Sequence, residues 1–193
     1  MEILADKKIG FAITGSFCTF SRILEPLKEL RRLGADLFPV FSFNTASMDT
    51  RFYTAADFRA DVEAITAHQV IDTIQAAEPV GPKKLFDLII VAPCTGNTLA
   101  KLANGITDTP VTMAVKAHLR NNRPVLIALS TNDGLTANAA NIGKLLNTKN
   151  YYFVPFRQDD CHGKPNSLVA DMALIPAAAA AALDHMQLEP LLR

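Results

Sequence analysis

The run Ile89-Ile-Val-Ala92 is uninterrupted apolar sequence bounded by Pro93 and Gly96. A short apolar run closed by turn formers predicts a strand buried on both faces. It passes directly into Thr95-Gly-Asn-Thr98, and a helical pattern starts at about Asn97. Small hydroxyl and amide residues at such a junction aim free backbone N–H groups at one point beyond the strand's carboxyl end. In an α/β sheet that point is where an anionic, planar cofactor sits. The segment achieves this without fixed charge.

The remaining sequence repeats the alternation. Lys8–Thr14 predicts a strand closed by Gly15-Ser16. A helix follows to about Leu33, with Ile23, Leu24, Leu27 and Leu30 on one face and Gly34 as its stop. Leu37–Phe43 predicts a second strand, which Pro39 makes irregular or confines to an edge because proline lacks a ladder donor. Thr54 and Asp57 form a capping box for a helix that buries Phe58, Val62 and Ile65. Ala76–Lys84 is a connector, and Phe86–Ala92 is the strand that leads into Thr95. Thr107-Asp108 caps a helix restarting near Pro110. Val125–Leu129 is the next strand, followed by Ser130–Gly134 and a helix to about Leu146. Tyr151–Val154 is the last strand expected, Pro155–Ser167 a long polar loop, and an alanine-rich helix closes the chain. Strands alternating with helices, and strands that read as continuous apolar runs, require a parallel sheet covered on both faces. The expectation is an α/β fold: a single doubly wound, Rossmann-like three-layer sandwich with a mostly parallel sheet, one domain over 1–193. The order of the strands is not readable.

Composition narrows the partners. Nineteen basic residues balance nineteen acidic ones, so no field favours nucleic acid or an anionic membrane. No apolar run approaches the length of a bilayer span. The charges of Met1–Lys8 are misplaced for a signal peptide. Cys18, Cys94 and Cys161 form no CxxC pair and are odd in number, which predicts reduced thiols and a cytoplasmic protein. Cys94 reads as a small buried packing residue. Cys161-His162, without a second spaced ligand pair, reads as a loop and not a zinc site, so no metal is expected.

Three junctions carry similar chemistry: Thr14-Gly15-Ser16, Thr95-Gly96-Asn97-Thr98 and Ser130-Thr131-Asn132. Each alone is an ordinary cap or turn; three at successive strand ends converge on one crevice. Neither GxxxxGK[ST] nor GxGxxG occurs, which removes the usual triphosphate and dinucleotide cradles. A monophosphate such as FMN remains. Arg51, in the loop after the second strand, is either a guanidinium fork for a substrate carboxylate or a surface arginine paired with Asp49.

Gly15-Ser16, the segment Ala92–Asp108 and Ser130-Thr-Asn132 resemble the FMN-binding flavoprotein family, which includes phosphopantothenoylcysteine decarboxylase, lantibiotic cysteine decarboxylases and prenylated-flavin synthases. Within that family, Asp49–Phe52, Ala77–Lys83, Ser130–Asp133, Tyr152–Asp159 and Lys164–Ala170 extend the resemblance, end to end, to one component of a two-component oxidoreductase. The resemblance implies FMN held by Gly15, Ser16 and Phe17, by Ser42 at the second strand's tip, by Thr95, Gly96, Asn97 and Thr98, and by Ser130, Thr131 and Asn132. It implies a late loop over the substrate, with Lys164, Asn166 and Ser167 as donors to a carboxylate alongside Arg51. The implied reaction is an aromatising two-electron oxidation of a cyclic dicarboxylic acid, with NAD(P) carried by a different, partner chain. It further implies a homo-oligomer, a trimer or a multiple of one. Two other readings share this fold: an FMN-dependent decarboxylase of a cysteine-containing substrate, and a non-catalytic partner of the nicotinamide-binding chain. The family's cysteine decarboxylases use a histidine after the second or third strand. Here His68 follows a helix C-terminus, where it reads as a dipole partner. No residue stands out as a proton acceptor.

Overall fold

A computed structural model describes residues 4–193. Its strands are β1 (Lys8–Ile13), β2 (Asp36–Phe41), β3 (Leu88–Cys94), β4 (Val125–Thr131), β5 (Tyr151–Phe153), β6 (Phe156–Asp160) and β7 (Lys164–Ala170). Its α-helices are α1 (Phe20–Arg32), α2 (Phe43–Ser47), α3 (Ala55–Thr66), α4 (Ile74–Ala77), α5 (Gly96–Ala103), α6 (Pro110–Leu119), α7 (Ala139–Leu146) and α8 (Ile175–Leu183).

The strands form one mixed sheet. Its parallel part runs β2-β1-β3-β4-β5, and on the edge of β4 opposite β3 the antiparallel pair β7-β6 continues beyond β5. Every residue of β3 is buried, and so are Ile9–Ile13 and Val125–Leu129. That pattern is what central strands covered by helices on both faces require. Each wholly buried Ile, Leu or Val side chain contributes about 1.5–3 kcal/mol. Helix α1 packs on α3 and α8; α5 packs on α6 and α7, and α6 on α4, completing the outer layers.

Pro39 lies on the edge strand β2, as its missing donor requires. Among the described residues only a one-residue bridge covers that edge: the Phe41 N–H donates to the Ile71 carbonyl and the Ile71 N–H to the Pro39 carbonyl, each at 2.9 Å. The proline nitrogen shares that outward side, so no ladder bond is lost. At the opposite edge, Gln187 stands in for a strand. Its amide donates to the Phe153 carbonyl at 2.7 Å and accepts the Phe153 N–H at 2.8 Å.

Two expectations are corrected. The polar stretch Pro155–Ser167 is not a loop but mostly the hairpin β6–β7, turning at Cys161-His162-Gly163. Arg157–Asp160 and Lys164–Asn166 are all exposed, so no apolar alternation betrays the strands; burial begins only at Ser167. The α6 cap is Thr109, not Thr107-Asp108. Its hydroxyl accepts the Thr112 N–H while the Thr112 hydroxyl accepts the Thr109 N–H, a reciprocal box with threonine in the place of glutamate. Asp108 instead receives Lys101 at 2.8 Å.

Candidate functional site

From β1 the chain moves outward to β2 and then back across to β3, so the sheet's direction of winding reverses between β1 and β3. Beyond the carboxyl ends of such strands an open α/β sheet leaves its crevice. There a cavity of about 540 Å³ opens, floored by Gly15, Ser16, Thr95, Gly96, Asn97, Ser130, Thr131 and Asn132. The hairpin supplies its other wall through Asp159, Lys164, Ser167, Leu168 and Val169. All three junctions singled out in the sequence therefore meet in one place.

Short polar ties hold the floor together. The buried Thr14 hydroxyl donates to the Pro93 carbonyl at 2.7 Å and accepts the Thr95 N–H at 3.0 Å, fastening the end of β1 to that of β3. Ser16, Thr19 and Ser130 form a closed triangle of hydroxyls, with edges of 2.8, 3.0 and 3.0 Å, that joins β1 to β4. Three hydroxyls facing one another can each redirect a proton to an anion placed against them. Thr95 caps α5 by accepting the Thr98 N–H, and its carbonyl takes the Leu99 N–H. The N–H groups of Gly96 and Asn97 have no acceptor among the described residues, so the helix presents two free donors at its positive end.

Gly96 is required by packing. A Cβ there would lie 2.5 Å from Asn138 Nδ2 and 2.7 Å from Asp133 Oδ1, and would also strike the Thr131 hydroxyl. Those three side chains form the turn's own lock: Asp133 accepts the Thr131 hydroxyl and, at 2.9 Å on each oxygen, the Asn138 amide. The Thr131 hydroxyl first, and then Asn138, hold the Asp133 carboxyl below the usual carboxylate range against the cost of partial burial. The charged form of Asp133 is thus held by neutral donors. Asn132 is oriented from the hairpin, because Ser167 donates to its side-chain oxygen at 3.1 Å and leaves its NH₂ as the available group.

The other expected residues are placed as follows. Thr98 is buried beneath the floor, its hydroxyl accepting from Thr95 at 3.1 Å. Phe17 does not line the cavity; it stands edge-on to Phe20 and flanks Gly15. Ser42 caps α2 at the tip of β2, beside the cavity rather than on its lining, and bonds the Thr45 hydroxyl at 2.9 Å. Asn166 lines a smaller hollow shared with Asn132, Lys164 and Ser167. Lys164 bonds Asp159 at 2.8 Å across the hairpin. Arg51 is not brought to the cavity, nor does it pair with Asp49: its guanidinium lies 4.8 Å from the Phe52 ring centroid, while Asp49 accepts the Ala55 N–H.

His68 meets Asp36 at 2.8 Å and stacks on Phe38, at the amino end of β2 and so at the opposite rim of the sheet. Cys94 is buried, which pushes its thiol up, whereas Cys161 is an exposed turn residue. Sequence reasoning missed Cys18, Thr19, Arg22, Asp133 and Asp159, all on the cavity wall. Thr19 and Arg22 follow Ser16 at intervals of three, the one signal that could have found them. Among the described residues no cluster of three or more His, Cys, Asp or Glu forms, and no helix is long and apolar enough to cross a membrane.

An α/β sheet of order 2-1-3-4-5 with a hydroxyl-lined crevice at its switch point defines a class, and the comparisons agree: residues 2–177 match Flavoprotein, and the chain belongs to that family. It is 48% identical over 192 residues to the B subunit of dipicolinate synthase from Bacillus subtilis (strain 168), covering 100% of this chain and 96% of that relative. The crystal structure of the dipicolinate synthase B subunit from Bacillus halodurans C superposes with a TM-score of 0.91 at 43% identity, over 98% of this chain and 97% of that one. The FMN-dependent cysteine decarboxylase SpaF shares the fold, with a TM-score of 0.73 at 21% identity over 94% of this chain and 98% of that one.

Proposed function

We propose that this chain is the flavin-carrying component of a dipicolinate synthase, working with that enzyme's nicotinamide-binding A subunit. Its identity to the dipicolinate synthase B subunit over its whole length carries the reading. The donor set fits FMN. The N–H groups of Gly96 and Asn97 and the hydroxyls of Ser16, Thr95 and Ser130 would take the phosphate without a fixed cation, Gly15, Thr131 and Asn132 would complete the pocket, and Phe17 and Thr98 would support it from behind. Ser42 would contribute from the β2 side.

FMN bound there supplies a two-electron acceptor for the aromatisation of a dihydrodipicolinate ring or its hydrated precursor. The chain's own residues bind and orient. Lys164, with Asn166 at the adjoining hollow, would receive carboxylate oxygens; Ser167, its one hydroxyl proton given to the Asn132 oxygen, would act by turning the Asn132 NH₂ toward the acid. Arg51, outside the cavity, is left out of this set. Leu168 and Val169 present apolar surface to the ring and exclude water from one side. NAD(P) belongs to the nicotinamide-binding partner, the assembly is a homo-oligomer of trimeric order combined with that partner, and the setting is the cytoplasm of a sporulating cell. His68 lies at the far rim of the sheet, paired to Asp36, which removes the one histidine that a cysteine decarboxylase reading would need.

The test is reconstitution. Mixed with the nicotinamide-binding partner, FMN and NADP or NAD, the chain forms dipicolinate from the cyclic precursor, read by its ultraviolet absorbance. Ser16→Ala, which removes one of the hydroxyls facing the phosphate, lowers that gain. Full activity of the partner by itself, unchanged by adding this chain, overturns the proposal.

A further inference from the structure

Four charged side chains line the cavity: Arg22, Asp133, Asp159 and Lys164. Three have partners. Asp133 is bonded by Thr131 and Asn138, and Asp159 by Lys164. Arg22 has no acidic partner within ion-pair distance among the described residues. Its neighbours on α1 are taken, since Glu25 holds Lys28 at 2.6 Å and Glu29 holds Arg32 at 2.6 Å. Arg22 is moreover the third residue of α1, whose first turn contains no acid. The positive end of a helix favours anions and disfavours cations, so an arginine there works against helix stability. Arg22 is exposed at the cavity, at a helix position where stability argues against a cation, and beside free N–H donors its unpaired guanidinium is available to an anion.

We infer that Arg22 is the second carboxylate anchor of the site, so that Arg22 on α1 and Lys164 on the hairpin each hold one carboxylate of a planar dicarboxylate. This rests on the proposed function and names its specificity-determining residue. Arg22 takes the part that the sequence had offered to Arg51. Its planar fork suits bidentate capture of a carboxylate. Asp159 is the internal competitor, occupying the Lys164 ammonium at 2.8 Å until a substrate carboxylate displaces it.

The test is calorimetric titration of the full chain, saturated with FMN, with dipicolinate (pyridine-2,6-dicarboxylate) and with picolinate, which lacks one carboxylate. The wild type binds dipicolinate about tenfold or more tightly than picolinate, and Arg22→Gln erases that preference without lowering Tm. Asp159→Asn tightens dipicolinate binding. If Arg22→Gln keeps the preference, the inference falls and the proposed function stands. If the wild type binds neither acid, both fall. Weaker dipicolinate binding in Asp159→Asn overturns the inference, because Asp159 would then support the ligand and not compete with it.

Discussion

The two walls of the cavity are built on different terms. The floor, at the ends of β1, β3 and β4, rests on strands whose central residues are all buried, and its ligand-facing groups are backbone N–H and hydroxyls. The hairpin β6–β7 is exposed from Arg157 to Asn166 and brings charge, through Asp159 and Lys164. Fixed dipoles on a rigid, buried frame suit a cofactor that stays. Charged side chains on a solvated hairpin suit a small acid that enters and leaves, since exposed ion pairs are weak and exchange readily.

The largest effect that this contrast predicts is in the floor. Gly96→Ala drives a methyl into Asn138, Asp133 and Thr131, and should abolish flavin retention while costing about 1–3 kcal/mol in urea unfolding. A variant that folds and keeps flavin would mean that the floor is plastic.

The parallel half also excludes charge from its interior. His118 is buried in α6, with Nε2 donating to the Pro124 carbonyl at 2.9 Å, and burial lowers its pKa from 6.5 to about 4. The unfolded chain binds this proton below 6.5 and the native chain only near 4, so stability is fully present above 6.5 and is lost as pH falls through that window. The loss is about 3 kcal/mol in all. His118→Gln should flatten the urea midpoint over that range; an unaltered slope would assign the acid sensitivity elsewhere.

Asp133→Asn leaves the Thr131 and Asn138 donors without a carboxylate, and should cost about 1–3 kcal/mol with weaker flavin binding. The wild type's Asp133 contribution is present at neutral pH and fades as pH drops through its lowered pKa. On the hairpin the effects are smaller and of another kind. Lys164→Ala should raise KM for the acid about tenfold, with flavin affinity and Tm nearly unchanged. If Lys164→Ala releases flavin instead, the division between the walls is wrong.

The same contrast explains what the sequence disclosed. Strands buried on both faces must be apolar at every position, so β1, β3 and β4 could be read directly, and Pro39 marked its own edge. The Thr54–Asp57 box was visible because a local side chain closes it: Thr54 accepts the Asp57 N–H and donates to its carboxylate. The hairpin hid because most of its side chains face solvent and only the end of β7 joins the sheet, on β4, and pairs such as Gln158 with Leu168 leave no period in the sequence. Ser42 and Arg51 follow a strand as Thr95 does, yet β2 is the edge, and strand order is a tertiary fact. Arg22 was illegible for the same reason, since only the folded chain shows which helix end borders the cavity. The three junctions of the floor could thus be read in advance, and little of the charged wall.

If the floor is an FMN cradle made without fixed charge, flavin should bind it and resist salt. Titrating the full chain with FMN, and following near-ultraviolet and visible absorbance, puts this to the proof. A structured flavin band should appear, saturating at one flavin per chain, little weakened by added salt and diminished in Ser16→Ala, which removes one of the cradle's hydroxyls. A chain that leaves the spectrum of free FMN unchanged, or binding that salt removes, would contradict the cradle.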